Sequence, residues 1–139
     1  MSRSKKIAQT ILFMVYCALI LWETLLKRNV SFPRTYEFRI FWGFTDLITG
    51  KGNGKYVSLQ YFQNVLFFIP FGFLFPWKQR RWIAVVCACV FSSLIETTQY
   101  VTARGLCELD DIIANTIGAA VGMGLCAMAI KLKVKNTRR

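Results

Sequence analysis

Ile95–Gly122 reads IETTQYVTARGLCELDDIIANTIGAAVG. It joins two strongly apolar segments, yet it carries Glu96, Gln99, Arg104, Glu108, Asp110, Asp111 and Asn115. Four of the seven acidic residues in the chain fall within sixteen positions, Glu96 to Asp111. In a chain that is 55% hydrophobic, such a cluster is either a solvated loop closing a hairpin or a site. Its flanks decide the fold: each is an apolar run of the length, about 20 residues, that crosses a hydrocarbon layer of roughly 30 Å.

Outward from that stretch the same pattern recurs. Four segments qualify as spans: Ile7–Leu26, Ser58–Trp77, Trp82–Val101 and Asp111–Ile130. The 139 residues leave room for one domain, 1–139. A mean hydropathy of +0.40 with 15% aromatics is far more apolar than an ordinary soluble domain. The expected fold is an all-α integral membrane protein with four transmembrane helices.

The net charge of +11 would point to nucleic acid on a soluble protein. Here the basic residues gather at the flanks of the spans, so nucleic acid is not an expected partner. Arg3, Lys5 and Lys6 precede span one, and Lys78, Arg80 and Arg81 lie between spans two and three. Lys131, Lys133, Lys135, Arg138 and Arg139 follow span four. If the helices alternate direction these eleven share one face, which the positive-inside rule makes cytoplasmic. The other face receives seven: Lys27, Arg28, Arg34, Arg39, Lys51, Lys55 and Arg104. Both termini are therefore expected inside, with Ile95–Gly122 turning over outside. The basic, then apolar, start is read as a retained span, because its apolar part is long for a signal peptide and no small-x-small cleavage site follows.

Cys17, Cys87, Cys89, Cys107 and Cys126 show no CxxC spacing, and only Cys107 falls outside a span, so no disulfide framework is implied. The chain has no histidine, which removes the usual general base and the commonest transition-metal ligand. Glu23 precedes Lys27 by one turn, a favourable order for an interfacial pair. The loop from Lys27 to Val57 is long and not uniformly polar. Within it, Glu37–Ile48 (EFRIFWGFTDLI) suits an amphipathic helix that lies in the headgroup layer or folds back over the bundle, or else a short strand. Gly50–Lys55 (GKGNGK) lacks the spacing and the Ser/Thr of a phosphate loop, and is read as a turn.

Inside the spans, Pro70 predicts a kink and Gly72 a close helix approach. Gly118, Gly122 and Gly124 among alanines form a small-residue pattern that brings helices together. The polar residues follow helical faces too. Ser92, Glu96 and Gln99 are spaced by four and three; Asp111, Asn115, Gly118 and Gly122 by four, three and four. Counted from Trp82 at 1.5 Å per residue, Glu96 lies about 21 Å along its helix, inside the hydrocarbon layer. A carboxylate at the centre of a span costs roughly 2.5–3.5 kcal/mol, so such groups face the bundle interior and find partners. Asn64 enters span two from the same side. A purely structural account makes Asp110 the N-cap of span four and pairs Arg104 with Glu108 in water. It covers the loop but not Glu96, Gln99 and Asn115. A single outward-opening pocket formed by Asn64, Glu96, Gln99, Arg104, Asp110, Asp111 and Asn115, with Arg104 as counter-charge, is the expected site.

These residues also carry a resemblance. QNVLFFIPFGFLFPW, SSLIETTQ, Arg104 and ELDDIIANTIGAAVG together resemble the VanZ-like family of small bacterial membrane proteins, best over residues 58–130. The matching positions are Asn64, Pro70, Phe71, Gly72, Ser93, Glu96, Gln99, Arg104, Asp110, Asp111, Asn115, Thr116, Gly118 and Gly122. Glu108 stands where many members have Asp. The resemblance implies a multi-pass protein of the bacterial cytoplasmic membrane with a role at the cell envelope. Because the family's named member is associated with low-level teicoplanin resistance, it also implies a part in glycopeptide tolerance.

Two functions compete. In the first, the protein binds an envelope lipid or a lipoglycopeptide at its outward-facing polar site, without a cofactor. In the second, it is an intramembrane enzyme acting on a lipid-linked cell-wall precursor. Glu96, Asp110 and Asp111 would then be its catalytic carboxylates, and Glu108, Asp110 and Asp111 the oxygen ligands of a divalent cation. Without a histidine or a nucleophile motif, binding leads. A transporter is disfavoured by the absence of an internal repeat.

Overall fold

The computed structural model describes residues 3–50, 54–76 and 82–137. Helix α1 (Arg3–Leu21) runs directly into a π-helical turn, Trp22–Leu26. A loop then leads through strand β1 (Thr35–Glu37) and the short helix α2 (Trp42–Ile48) to α3 (Gly54–Leu74). Helix α4 (Trp82–Thr102), strand β2 (Leu106–Glu108) and α5 (Leu109–Thr137) complete the chain. The Glu37–Ile48 segment thus holds the helix, while the strand lies almost entirely before it. The Gly50–Lys55 turn, the basic loop Lys78–Arg81 and the two C-terminal arginines lie partly or wholly outside the described residues.

Among the described residues, three helices are long and apolar enough to cross a membrane: Arg3–Leu26, Trp82–Thr102 and Leu109–Asn136. Helix α3 carries Ser58, Gln60, Gln63 and Asn64 in its first half and an apolar run, Val65–Leu74, in its second. It is central. It packs along α5 and also touches α1, α2 and α4. Helix α1 is peripheral, with only 6% of its most apolar window buried against 33% for the windows of α4 and α5. Leu12, Val15 and Leu19 on α1 and Val86, Val90 and Leu94 on α4 are all exposed, the composition of a surface that meets lipid.

Close packing between α3 and α5 rests on glycine. A Cβ on Gly72 would overlap the Ala119 carbonyl; on Gly118 it would meet the Val65 carbonyl, and on Gly122 the Ile69 carbonyl. Backbone lies against backbone here, and no side chain can be fitted between. Gly124 has open space around it and takes no part in the contact. Helix α3 continues through Pro70 to Leu74. Phe68 and Phe71 of α3, with Phe75 just beyond it, join Ile20, Ala84, Ala88, Ile95 and Ala119 in the apolar core. The ring of Phe13 stands edge-on to Phe71 at 5.0 Å, and that of Phe91 stacks on Phe71 at 5.7 Å.

One end of the bundle is finished differently. Helix α4 stops in a Schellman turn: Arg104 N–H donates to the Gln99 carbonyl at 2.9 Å and Ala103 N–H to Tyr100 at 3.3 Å. Ala103 takes the left-handed position usually held by glycine (φ 54°), and its carbonyl accepts Ser31 N–H at 2.7 Å. The chain then enters β2, which pairs in parallel with β1 in the register Thr35↔Leu106, Tyr36↔Cys107 and Glu37↔Glu108. This small sheet and α2 roof the end of the bundle where the polar residues collect.

Candidate functional site

Helical spacing places Ser92, Glu96 and Gln99 on the inner face of α4, and all three are buried. Asp111 and Asn115 do the same on the first turns of α5. One link per level joins the elements. Asn115 Nδ2 donates to Ser92 Oγ at 2.8 Å, across α5 and α4. Asn64 Nδ2 donates to Asp111 Oδ1 at 2.6 Å, across α3 and α5. Glu96 Oε2 accepts the backbone N–H of Glu108 at 2.9 Å, across α4 and β2. Gln99 Nε2 donates to the Thr24 carbonyl at 3.0 Å, reaching the π-helical turn after α1. Ser93, the serine of the resemblance, donates within its own helix to the Cys89 carbonyl; its neighbour Ser92 is the one that meets Asn115.

Asp110 does not cap α5. It sits in the first turn of that helix, and its carboxylate reaches back across the roof. Oδ1 accepts Phe41 N–H at 2.7 Å and Oδ2 accepts Trp42 N–H at 3.2 Å. Phe41 is the N-cap of α2 and is left-handed (φ 54°), a conformation that costs a bulky residue free energy. The two bonds to Asp110 hold that turn and satisfy two of the free N–H groups at the start of α2. Glu108 completes the clasp, since its Oε2 accepts the Trp42 indole N–H at 3.1 Å. Glu108 is therefore buried, and no pairing with Arg104 in water occurs. Burial first, then the charge of Asp111, pushes its carboxyl up to about 7, against the Trp42 hydrogen bond and Arg28, which favour the charged form.

The counter-charge differs from the expected one. Arg104 Nη1 donates to the Leu25 carbonyl at 3.3 Å, because the Schellman turn sends residue 104 towards the end of α1. Among the described residues, no direct ion pair joins Glu96, Glu108, Asp110 or Asp111 to a Lys or Arg. The cation whose charge reaches Glu96, Glu108 and Asp111 is Arg28. A Cβ on Gly105 would come within 2.7 Å of Arg28 Nη1 and 3.5 Å of Gln99 Oε1. Gly105 (φ +149°) thus supplies both the backbone angle and the space that admit the guanidinium. Arg39 is engaged elsewhere, by Glu37 at 2.7 Å. Arg28 escaped the sequence reading, although a basic residue immediately after span one on the acidic side was a visible anomaly under the positive-inside rule.

Acceptors outnumber donors at this end. Among the described residues, the side-chain oxygens Ser58 Oγ, Gln99 Oε1 and Asn115 Oδ1 are buried with no hydrogen-bond partner. Over the acids runs a crevice lined by Gly43, Phe44, Gln60, Tyr61, Glu108, Asp110 and Asp111, too narrow to admit a water-sized sphere. The polar residues other than Arg104 therefore converge beneath the roof, around this narrow crevice. With regard to a divalent cation, both Asp110 oxygens and Glu108 Oε2 already accept N–H groups. Among the described residues, no three Cys, Asp or Glu side chains are grouped to hold a metal ion.

The sequence model of the family described as VanZ/LLP1 matches residues 13–131, which takes in α3, α4, the roof, the second half of α1 and most of α5. The chain belongs to the VanZ/LLP1 family. It is similar to Protein VanZ of Enterococcus faecium, with 26% identity over 129 residues covering 91% of this chain and 78% of that protein. No solved structure matches it. The family match begins within α1, well before residue 58, and so includes the end of α1 that supplies Thr24, Leu25 and, just beyond, Arg28.

Proposed function

We propose that this VanZ/LLP1 family member is a four-span protein of the bacterial cytoplasmic membrane, with both termini cytoplasmic and the roofed acidic end at the outer surface. There it binds the donor-bearing head group of an envelope lipid or lipoglycopeptide, and so contributes to teicoplanin-type tolerance. The observation that carries this reading is the surplus of acceptors under the roof. Among the described residues, three buried acids, Glu96, Glu108 and Asp111, share the charge of Arg28, and two amide oxygens, Gln99 Oε1 and Asn115 Oδ1, have no partner. Buried polar atoms are normally satisfied, so an ammonium or hydroxyl-rich head is the complement this end lacks. Arg28 would meet the phosphate of a zwitterionic head, as a charge-assisted contact that also sets its orientation. Entry requires the roof to open, and the roof is held by a few hydrogen bonds from Asp110 and Glu108 to α2.

The test is native mass spectrometry of the detergent-purified protein, followed by titration with whatever lipid it retains. An ammonium-bearing amphiphile should co-purify, and Glu96→Gln and Arg28→Gln should each release it. Retention of nothing, or of anionic lipids alone, would sink the reading. Consumption of a lipid-linked precursor by the purified protein would replace it with the catalytic one, in which Glu96 is the first residue to change.

A further inference from the structure

A second cavity lies on the lipid-facing flank of the same end. It is an open groove of about 300 Å³ lined by Tyr36, Phe38, Thr97, Tyr100 and Cys107. Its walls are apolar for identifiable reasons. Tyr36 and Phe38 stack at 5.1 Å, and the Tyr100 ring stands against Tyr36 at 6.2 Å. The Thr97 hydroxyl donates to the Ser93 carbonyl at 2.8 Å, within its own helix. Tyr36 and Phe38 are 61% and 62% exposed, more than a soluble surface ordinarily leaves to such rings in one patch.

Two features say what covers the groove. It continues the exposed stripe of α4, Val86, Val90, Leu94 and Val101, so a chain lying along that helix runs directly into it. At its inner end is Cys107, paired with Tyr36 across the two strands and one residue from Glu108. Burial first, then the neighbouring carboxyls of Glu96, Glu108 and Asp111, pushes the thiol up, so the acidic cluster lies close to the inner end of the groove.

We propose that the groove seats an acyl chain of an aminophospholipid, the tail lying between Tyr36, Phe38 and Tyr100 while its ammonium is drawn to Glu96 and Glu108. This rests on the reading of the acidic end as a head-group site, and adds the tail, the lipid class and the direction of approach. Each methylene withdrawn from water or replaced on a well-fitted wall adds to affinity. Aromatic side chains at the head-group level are the usual residues for such a boundary.

The experiment uses the full chain in detergent with three probes. These are phosphatidylethanolamine carrying a diazirine on its acyl chain, phosphatidylglycerol with the same chain, and glycerophosphoethanolamine with no chain. Photolabel from the first should map to Tyr36–Phe38 and Thr97–Cys107. Thr97→Trp, an exposed substitution that fills the groove, should cut this labelling about tenfold while leaving glycerophosphoethanolamine binding unchanged. Phosphatidylglycerol should label the groove less. Labelling elsewhere, or labelling indifferent to Thr97→Trp while glycerophosphoethanolamine still binds, overturns the groove and leaves the head-group site standing. Failure of both ethanolamine probes to bind overturns the site reading, and this inference with it.

Discussion

Glu96 holds the backbone of Glu108: its carboxylate accepts that N–H at 2.9 Å, so one buried acid fixes the position of another. The bond ties the inner face of α4 to β2 at the point where the chain enters α5. Glu96→Ala leaves the Glu108 N–H buried without an acceptor, which costs about 1–3 kcal/mol. Glu96→Gln retains an acceptor and should cost less. Thermal unfolding in detergent should rank wild type above Gln, and Gln above Ala. Equal midpoints for Gln and Ala would mean that the contact contributes nothing.

The roof depends on Asp110. Replacing it with Ala frees Phe41 N–H and Trp42 N–H and leaves the left-handed Phe41 unsupported. Loss of such a capping carboxylate typically costs about 0.5–2 kcal/mol, and here it should fall on α2 rather than on the bundle. Hydrogen exchange over residues 41–48 should accelerate while that of α3 and α5 is little changed. Uniform acceleration across the bundle would contradict a local role.

Glu108 makes the roof sensitive to pH. Its carboxyl is raised from an ordinary value of 4.5 to about 7, so the folded protein holds this proton more tightly than the unfolded chain. A proton held more tightly in the folded state favours folding at low pH. The contribution is present in full below about 4.5 and is lost as pH rises to about 7. Stability should therefore fall across that window, and Glu108→Gln, which cannot ionise, should flatten this part of the profile. The fluorescence of Trp42, whose indole N–H is bonded to Glu108 Oε2, should titrate in wild type and not in the variant.

How much of this was legible depended on sequence distance. Periodicity is a local signal, so the shared faces of Ser92, Glu96 and Gln99 and of Asp111 and Asn115 could be read from spacing alone. The partners of Asp110 lie 68 and 69 residues away, and no local pattern says that α2 folds back over the start of α5. The same holds for the β1–β2 pairing and for Arg28, placed by the Schellman turn at Ala103 and the gap at Gly105. Arg104 sat inside the acidic stretch and drew attention by proximity in sequence. Proximity in space belongs to Arg28.

The glycines of α5 divide along the helical face that Gly118 and Gly122 share by spacing. Gly118 and Gly122 face the Val65 and Ile69 carbonyls, while nothing lies within 4 Å of a Cβ on Gly124. Gly122→Ala should sharply reduce the yield of folded protein, because backbone must move to admit the methyl. Gly124→Ala should be neutral, or stabilising by up to about 0.5–1 kcal/mol through the helix preference for alanine. Size-exclusion profiles of the two variants side by side check this; equal yields would remove the close seam.

The proposed orientation rests on charge and is tested at one thiol. With eleven basic residues expected on one face and seven on the other, Cys107, paired with Tyr36 of β1 and lining the groove, is expected on the outer side. Cys17, Cys87, Cys89 and Cys126 lie within helices, away from an aqueous reagent. Burial and the nearby acids raise the Cys107 thiol, so labelling by an impermeant maleimide should be slow at neutral pH and faster as pH rises. In intact cells Cys107 should be labelled, and a cysteine added after Arg139 only once the membrane is permeabilised. If the added cysteine reacts in intact cells and Cys107 does not, the protein is inverted. The acidic end would then face the cytoplasm, where an antibiotic acting outside the membrane would not meet it.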